Sequence, residues 1–575
     1  MFSVTINGRS VDARPGEMLL DVIRRAGVRV PTLCHMEGLA PTGACRLCAV
    51  EVEGQRNLVP SCSFPAQEGM VVRTHSERAV RARKVIVELL LANHPDDCLY
   101  CSRNGNCALQ SLAEELGIRR RRFHGSRLIE AFHSDVSSPA ITRDPAKCVL
   151  CGKCVRVCEE VQGVSAIDFV GRGSGTQVGT AFGEGLNVSS CVYCGQCVLV
   201  CPTGALSERS DVDRVMAALH DPGRVVVVQH APSISVTLAE LFDARPGQDV
   251  AGAMTAALRR LGFDHVFDTA FSADLTIMEE ASELVRRIEG GGRLPMMTSC
   301  SPGWIKFVEE FYPEFIENLS SCKSPQQMLG AVVKSHFAER EGIDPARIFS
   351  VALMPCTAKK FEATRPEMAA DGLADIDAVL TTRELAEIVR SRGLDLDALE
   401  PQAADLPFGS RSTAGKLFGA TGGVMEAAIR TAHHLITGED LGDLTVRAVR
   451  GLEGVKEARV RAGELELGVA VVNGLGNARR LMDELRAGRD DLHFIEVMTC
   501  PGGCIGGGGQ PVDADPEALR ARMQALYRID RDEAMRTSHE NPAVQQLYRE
   551  FLGEPLGETS HRLLHTHYAA RTVLK

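Results

Sequence analysis

Twenty cysteines in 575 residues restrict this chain more than any other feature, because they are clustered at short, regular spacings. Residues 1–75 hold four, 80–125 hold three and 140–210 hold eight, whereas the last 365 residues hold only five. The third group is a repeat. Cys148-x2-Cys151-x2-Cys154-x3-Cys158 returns 43 residues later as Cys191-x2-Cys194-x2-Cys197-x3-Cys201, followed by Pro202. The chain opens with MFSVTINGRSVDARPGE, an alternation of apolar and polar residues suited to a half-buried strand, without the basic and apolar regions of a secretory signal. A cytoplasmic protein is therefore expected. That compartment keeps thiols reduced, so the clustering reads as metal binding and not as a disulfide framework.

The length allows several domains, each with its own core. No apolar run reaches the roughly 18 residues of a membrane span, so none is expected. A net charge of −11 argues against a nucleic-acid partner, which would need a positive footprint. The run Arg119–Arg122 is the exception; it reads as a solvated basic patch or as a docking site for an acidic redox protein.

The front of the chain holds three kinds of site. Cys34, Cys45, Cys48 and Cys62 stand in C-x10-C-x2-C-x13-C after a strand–strand–helix pattern, with the Gly-bearing loop GLAPTGACR between the first two. This resembles plant-type ferredoxin, in which four thiolates hold a 2Fe-2S cluster, although the first gap is longer. The alternative is structural zinc, which more often uses two tight cysteine pairs. Next, His94, Cys98, Cys101 and Cys107 place three thiols and an imidazole within 14 residues. They suit a 4Fe-4S cluster or, taken alone, a Cys3His zinc site. The repeated C-x2-C-x2-C-x3-C is the signature of two-cluster bacterial ferredoxins, where the fourth cysteine of each run ligates the other cluster. One cluster is then expected on Cys148, Cys151, Cys154 and Cys201, the other on Cys191, Cys194, Cys197 and Cys158. Four clusters in series move single electrons.

From about Val225 the texture changes. Strand-like runs such as RVVVVQ, RIFSVALMP, LGVAVVNG and LHFIEVM alternate with helical patterns at 276–289 and 381–393. The fold class expected is an α/β domain with largely parallel sheets, preceded by small α+β iron–sulfur domains. The divisions are 1–78, 79–125, 138–210, 220–510 and a helical segment 511–575. Gly474-Leu-Gly476 follows a strand, but Arg479 occupies the third glycine position of a dinucleotide fingerprint, so a tight strand–helix turn is expected instead.

The five remaining cysteines lie in TSCSPGW (298–304), NLSSCKSPQQ (318–327), MPCTAKKFE (354–362) and EVMTCPGGCIGGGGQ (496–510). These motifs, and the order of the front sites, resemble the FeFe (iron-only) hydrogenases, in particular the hydrogenase subunit of NAD(P)-linked multimeric complexes. The family carries TSCCPxW, MPCxxKxxE and ExMxCxxGCxxG. The resemblance implies an H-cluster, a 4Fe-4S cubane joined to a two-iron unit bearing CO, cyanide and a dithiolate amine. It implies Cys356, Cys500 and Cys504 as cubane ligands, with Cys504 bridging, and Lys359 as a cationic donor to a cyanide. Ala231, Pro232, Ser233, Gln326, Met354, Phe418 and Met498 would wall the two-iron unit, although core packing alone explains the methionines equally well without the motifs. Cys300, Glu280, Ser320, Glu283 and Arg287 would form the proton path; read blind, the last helix face is simply solvated.

One position departs from the family. Its second adjacent cysteine, the fourth cubane ligand, is Ser301 here, a harder and less acidic donor than a thiol. Cys322 keeps the count of five. Either Cys322 ligates the cubane while Cys300 relays protons, which is the preferred arrangement, or the two exchange roles; serine ligation is the third option. The activity implied is reversible oxidation of H2, with electrons relayed to a ferredoxin or to flavin-containing NAD(P)-linked diaphorase subunits. Maturation proteins would build the two-iron unit. The alternatives are a complex-I-like or formate dehydrogenase subunit, and a non-catalytic hydrogen sensor or iron–sulfur assembly protein.

Overall fold

A computed structural model describes residues 1–125, 133–512 and 515–573; the end residues 574–575 of the segment 511–575 lie outside them. β1 (Phe2–Ile6) turns Val4 and Ile6 inward and pairs with β2 (Arg9–Ala13); β3 (Ala49–Val52), β4 (Val59–Pro60) and β5 (Val71–Arg73) complete a sheet ordered β2-β1-β5-β3-β4. The helix Leu19–Arg25 buries Leu19, Leu20, Val22 and Ile23 in the same core. A second helix, Glu77–Ala92, is capped by Ser76 and carries Arg83. This buried guanidinium donates to the carbonyls of Leu47 (3.1 Å), Ala49 (2.8 Å) and Thr74 (2.7 Å), anchoring the loop that holds Cys45 and Cys48.

The repeat at 148–201 folds with matching backbone in its two halves. Leu150 (φ 53°) and Tyr193 (φ 59°), and Gly152 (φ 74°) and Gly195 (φ 70°), occupy the left-handed region at equivalent positions. Such turns aim successive N–H groups at a central anion, and two non-glycine residues held there mark a functional constraint. Two hairpin-like pairs flank them: β6 (Ile141–Arg143) with the later β9 (Leu206–Glu208), and β7 (Asp168–Val170) with β8 (Gln177–Gly179).

Beyond residue 220 there are two four-stranded sheets. β10 (Val225–His230), β11 (His265–Asp268), β13 (Ile348–Met354) and β16 (Ala378–Thr381) form one, ordered β11-β10-β13-β16 and wholly parallel. β13 is buried at every position, as a strand covered on both faces must be. The other sheet is β12-β19-β18-β17, from β12 (Met296–Met297), β17 (Val455–Ala462), β18 (Leu465–Asn473) and β19 (Phe494–Met498). Here the parallel expectation needs correction at one edge, where β17 runs antiparallel to β18 through the two-residue turn Gly463–Glu464. Gly463 takes the positive φ (61°) such a hairpin requires. β14 and β15 are the minor hairpin Ala369–Ala370 and Leu373–Ala374.

Between the sheets lies the long helix Thr269–Gly290, begun by Asp268 accepting the Ala270 N–H (2.8 Å) and ended at Gly291 (φ 70°). Phe271 and Leu275 pack toward Val227 of the first sheet; Ala273, Ile277 and Leu284 pack toward Met296, Val471 and Phe494 of the second. The C-terminal segment wraps this body. Its helix Pro516–Asp532 buries Asp530 against Arg430, Arg450 and Arg536, and its Arg522 donates to the Ile505 carbonyl at 2.7 Å, bracing the loop that bears Cys504.

Candidate active site

The strand ends decide where chemistry is possible. Ala231–Ser233 follow β10, Cys300 and Ser301 follow β12, Cys356 and Lys359 follow β13, and Thr499 and Cys500 follow β19, all at carboxyl ends of parallel strands, where α/β sheets open clefts. There a single cavity is lined by Cys300, Ser301, Cys356, Lys359, Cys500 and Cys504, with Ala231, Pro232, Ser233, Gln326, Met354, Phe418 and Met498 in its wall. Close backbone approach seals it. A Cβ on Gly507 would fall 2.2 Å from the Pro355 carbonyl, and one on Gly503, at φ 89°, 2.6 Å from the Thr421 N–H nitrogen.

The wall is mostly apolar, and burial favours the protonated form of its thiols. Burial, then the proximity of Cys356, pushes Cys504 up to about 12, and burial raises Cys356 too. Three such thiols become thiolates only against a cation, which is what an iron–sulfur cluster provides, so the residues fit one. Lys359 is held by Glu362 at 2.9 and 3.1 Å, and Glu362 also accepts from Ser324 (2.8 Å) and Gln326 (3.2 Å). Gln326 Oε1 is buried without a hydrogen-bond partner and lines the same cavity.

Glu280 lies on the Thr269–Gly290 helix, is 1% exposed, and neither of its oxygens finds a well-formed hydrogen bond. Burial, reinforced by the charge of Glu283, raises it to about 8. Farther along, Ser320 donates to Glu283 Oε2 at 3.0 Å, and Arg287 pairs with Glu283 at 2.6 Å. Arg287 also caps the carbonyls of Leu319 (2.8 Å), Asn318 and Glu317 (3.3 Å each). Cys300, which lines the cavity, is raised first by burial and then by the charge of Glu280.

Cys322 corrects the preferred sequence reading, because it does not line the cavity. Its fully buried thiol sits 4.0 Å from Glu283 Oε2 in the apolar cluster of Phe271, Met328 and Leu564, away from Cys356, Cys500 and Cys504. Register is the reason. The Ser320 N–H is tied to the Met297 carbonyl (2.7 Å) and Cys322 pairs across an antiparallel bridge with His565, so the side chain turns to the helix. Ser301 lines the cavity with the three thiols, next to Cys300. Its Oγ lies 2.8 Å from Thr499 Oγ1 and accepts the Thr499 N–H at 3.3 Å.

In the front half, one cavity is lined by Cys148, Cys151, Cys154 and Cys201, and another by Cys158, Cys191, Cys194 and Cys197, so the fourth cysteines are exchanged. Cys34 accepts a hydrogen bond from Cys45 that lowers it to about 5, and Cys48 does the same for Cys62, lowering it to about 7. His94 is buried, held neutral by that burial, and its Nδ1 has no hydrogen-bond partner, as a ligand nitrogen should. Cys34, Cys45, Cys107 and Cys151 share one apolar cluster, which brings three of these sites side by side. At the other end Gly508 packs so tightly on the ferredoxin-like repeat that a Cβ there would lie 2.3 Å from the Cys194 carbonyl. Gln196 adds a 2.9 Å hydrogen bond to the Gly506 carbonyl.

Arg121 donates to the His94 carbonyl and to Asp96 (2.7 Å each) and Arg122 pairs with Glu88, while all four arginines of the run stay exposed, so it remains a solvated basic patch. The Gly474–Gly476 turn is packed against the Val161 carbonyl, with Arg479 donating to Gly163 at 2.8 Å, which leaves it structural. Glu362 was legible in MPCTAKKFE, one helical turn from Lys359, but its role was not. Thr499 carried no signal.

Comparison with known proteins shows the family. Residues 224–508 match the family described as iron only hydrogenase large subunit, C-terminal domain, and 516–571 match the iron hydrogenase small subunit. The chain belongs to the iron-only hydrogenases. It is an oxidoreductase of that family with accessory iron–sulfur domains: residues 1–77 match a 2Fe-2S cluster binding domain, 83–122 an NADH-ubiquinone oxidoreductase-G iron–sulfur region, and 138–207 a ferredoxin-like domain of NADH-quinone oxidoreductase subunit 3. The NADP-reducing hydrogenase subunit HndD of Solidesulfovibrio fructosivorans is 47% identical over 100% of both chains. Iron hydrogenase 1 of Clostridium pasteurianum is 41% identical over 99% of this chain and 100% of its own. A solved apo FeFe-hydrogenase of Chlamydomonas reinhardtii is 43% identical with a TM-score of 0.57, covering 64% of this hydrogenase and 100% of that chain.

Proposed function

We propose that this hydrogenase catalyses 2H⁺ + 2e⁻ ⇌ H2 reversibly in the cytoplasm, and exchanges its electrons with flavin-containing NAD(P)-linked subunits or with a ferredoxin. The observation that carries the reading is the convergence of Cys356, Cys500, Cys504, Lys359 and Cys300 on one mostly apolar cavity beside Glu280. The full-length similarity to an NADP-reducing hydrogenase subunit supports the NAD(P)-linked partner over the free ferredoxin.

When bound, an H-cluster assembled by maturation proteins supplies the two-iron site for hydrogen. Cys356, Cys500 and Cys504 would hold its cubane, and Ser301 would take the fourth ligand position. The Thr499 N–H, which donates to Ser301 Oγ at 3.3 Å, would support negative charge on that oxygen. Lys359, kept in place by Glu362, donates to an anionic ligand in a cavity where water does not compete. Met354, Met498, Phe418 and the Ala231–Ser233 segment exclude solvent. Cys300 passes protons to Glu280, which is poised near neutrality to accept and release them. Ser320, Glu283 and Arg287 continue the path to the surface. The front cysteines and His94 would hold one 2Fe-2S and three 4Fe-4S clusters, the last pair crosswise on the repeat, and these would supply electron transfer. The division at 78, 125, 210 and 510 belongs to the same reading.

The test is infrared spectroscopy of anaerobically matured protein with a parallel H2-uptake assay. Bands of bound CO and cyanide with H2-dependent dye reduction are expected. Fully iron-loaded protein showing neither overturns the reading.

A further inference from the structure

The thiol displaced from the cubane has company of its own. Cys322 lies across an antiparallel bridge from His565, fixed by the Lys323 N–H to the Leu564 carbonyl and the Thr566 N–H to the Ser321 carbonyl, both 2.7 Å. That register puts the two side chains on one side, over Glu283. A sulfur of Cys322, a ring nitrogen of His565 and a carboxylate oxygen of Glu283 all lie within 4.8 Å of one another, and all three residues are buried. Zinc bonds of about 2.0–2.3 Å set tetrahedral ligands about 3.3–3.8 Å apart, so modest side-chain rotation closes this triangle on an ion.

The surroundings are those of a metal-ligating histidine. Glu279 Oε2 stands 3.1 Å from His565 Nε2 and accepts the Leu556 N–H (2.7 Å), while the Tyr548 hydroxyl donates to Oε1 (2.5 Å). A carboxylate holding one ring N–H presents the other nitrogen as a lone pair and raises its basicity, the usual arrangement behind a zinc-bound imidazole. The remaining nitrogen, Nδ1, faces the Ser321 hydroxyl at 2.8 Å, a contact that a metal bond replaces. Sulfur, imidazole and carboxylate together form a donor set that zinc accepts and that magnesium and calcium do not.

We propose that Glu283, Cys322 and His565 form an inhibitory zinc site at the proton path. Zinc claims the Glu283 oxygen to which Ser320 donates at 3.0 Å, and so removes a proton carrier. Because His565 comes from the C-terminal segment, the ion also pins that segment to the long helix. The binding step stands apart from the proposed activity; only the inhibition rests on it.

The experiment uses the iron-loaded holoenzyme, incubated anaerobically with zinc chloride and desalted. One zinc per chain is expected by elemental analysis, with one sulfur and otherwise nitrogen or oxygen neighbours in its X-ray absorption fine structure, and H2 uptake falls as zinc is added. Cys322→Ser and His565→Gln should lose the zinc at unchanged iron content, and Glu279→Gln should weaken it about 10–100-fold. A wild-type protein that retains no zinc, a zinc shell with no sulfur or with three or four, or zinc retained equally by both ligand variants overturns the site. Zinc bound as described without effect on H2 uptake overturns the inhibition alone; absence of CO and cyanide bands would instead have overturned the hydrogenase reading.

Discussion

Glu280→Gln separates function from stability, because the two should move in opposite directions. Glu280 is 1% exposed and raised from 4.5 to about 8, first by burial and then by Glu283. A carboxyl raised on folding binds its proton more tightly in the native state. Its destabilising effect is therefore absent well below pH 4.5, grows between 4.5 and 8, and is complete above 8. At about 1.4 kcal/mol per tenfold change in proton affinity, the full effect is about 5 kcal/mol at pH 9, against about 1 kcal/mol at pH 5. A neutral Gln carries none of it. The variant should therefore gain about 4 kcal/mol over wild type between pH 5 and pH 9, or several degrees in Tm. Over the same range its turnover should fall about 10²–10⁴-fold, since an amide does not exchange the proton that Cys300 and Glu283 need relayed. Anaerobic calorimetry of both proteins at several pH values, with iron content matched, measures the first effect. A difference in Tm that stays flat from pH 5 to pH 9 would refute the assignment of Glu280 as a buried, elevated carboxyl.

Three substitutions at two further positions probe the cubane seat and the contact that leads to it. Ser301→Ala should lower iron at the cubane, whereas Ser301→Cys should keep it and change the electron paramagnetic resonance of the reduced cluster; an unaltered spectrum and iron content in both would remove Ser301 from the ligand set. Gly508→Ala places a Cβ 2.3 Å from the Cys194 carbonyl, so the repeat and the cavity loop must separate. Electron delivery from a reduced partner should slow while H2 uptake with a dye that reaches the cavity directly is spared, and equal loss of both rates would show that the contact has no role in transfer.

Legibility in the sequence followed distance along the chain. The front sites were readable because their ligands lie within short runs: a C-x2-C-x2-C-x3-C segment has few ways to place four thiols, and its Gly152 and Gly195 mark the turns that do it. β13 and β19 were readable because a strand buried on both faces is a continuous apolar run. The antiparallel β17 was not, since Val455–Ala462 alternates in burial as an edge strand does in either direction. Glu279, Tyr548 and His565 gave no pattern, being separated by up to 286 residues and joined only by folding.

By itself the sequence grouped the front cysteines and His94 into candidate cluster sites and marked three motifs that line the cavity, because those constraints are local or strongly patterned. Only the tertiary structure decided the fate of the fifth thiol. Counting cysteines made Cys322 interchangeable with a ligand at position 301, but direction is set by backbone pairing. The bridge to His565 turns Cys322 toward Glu283, while the end of β12 carries Ser301 to the cavity beside Thr499.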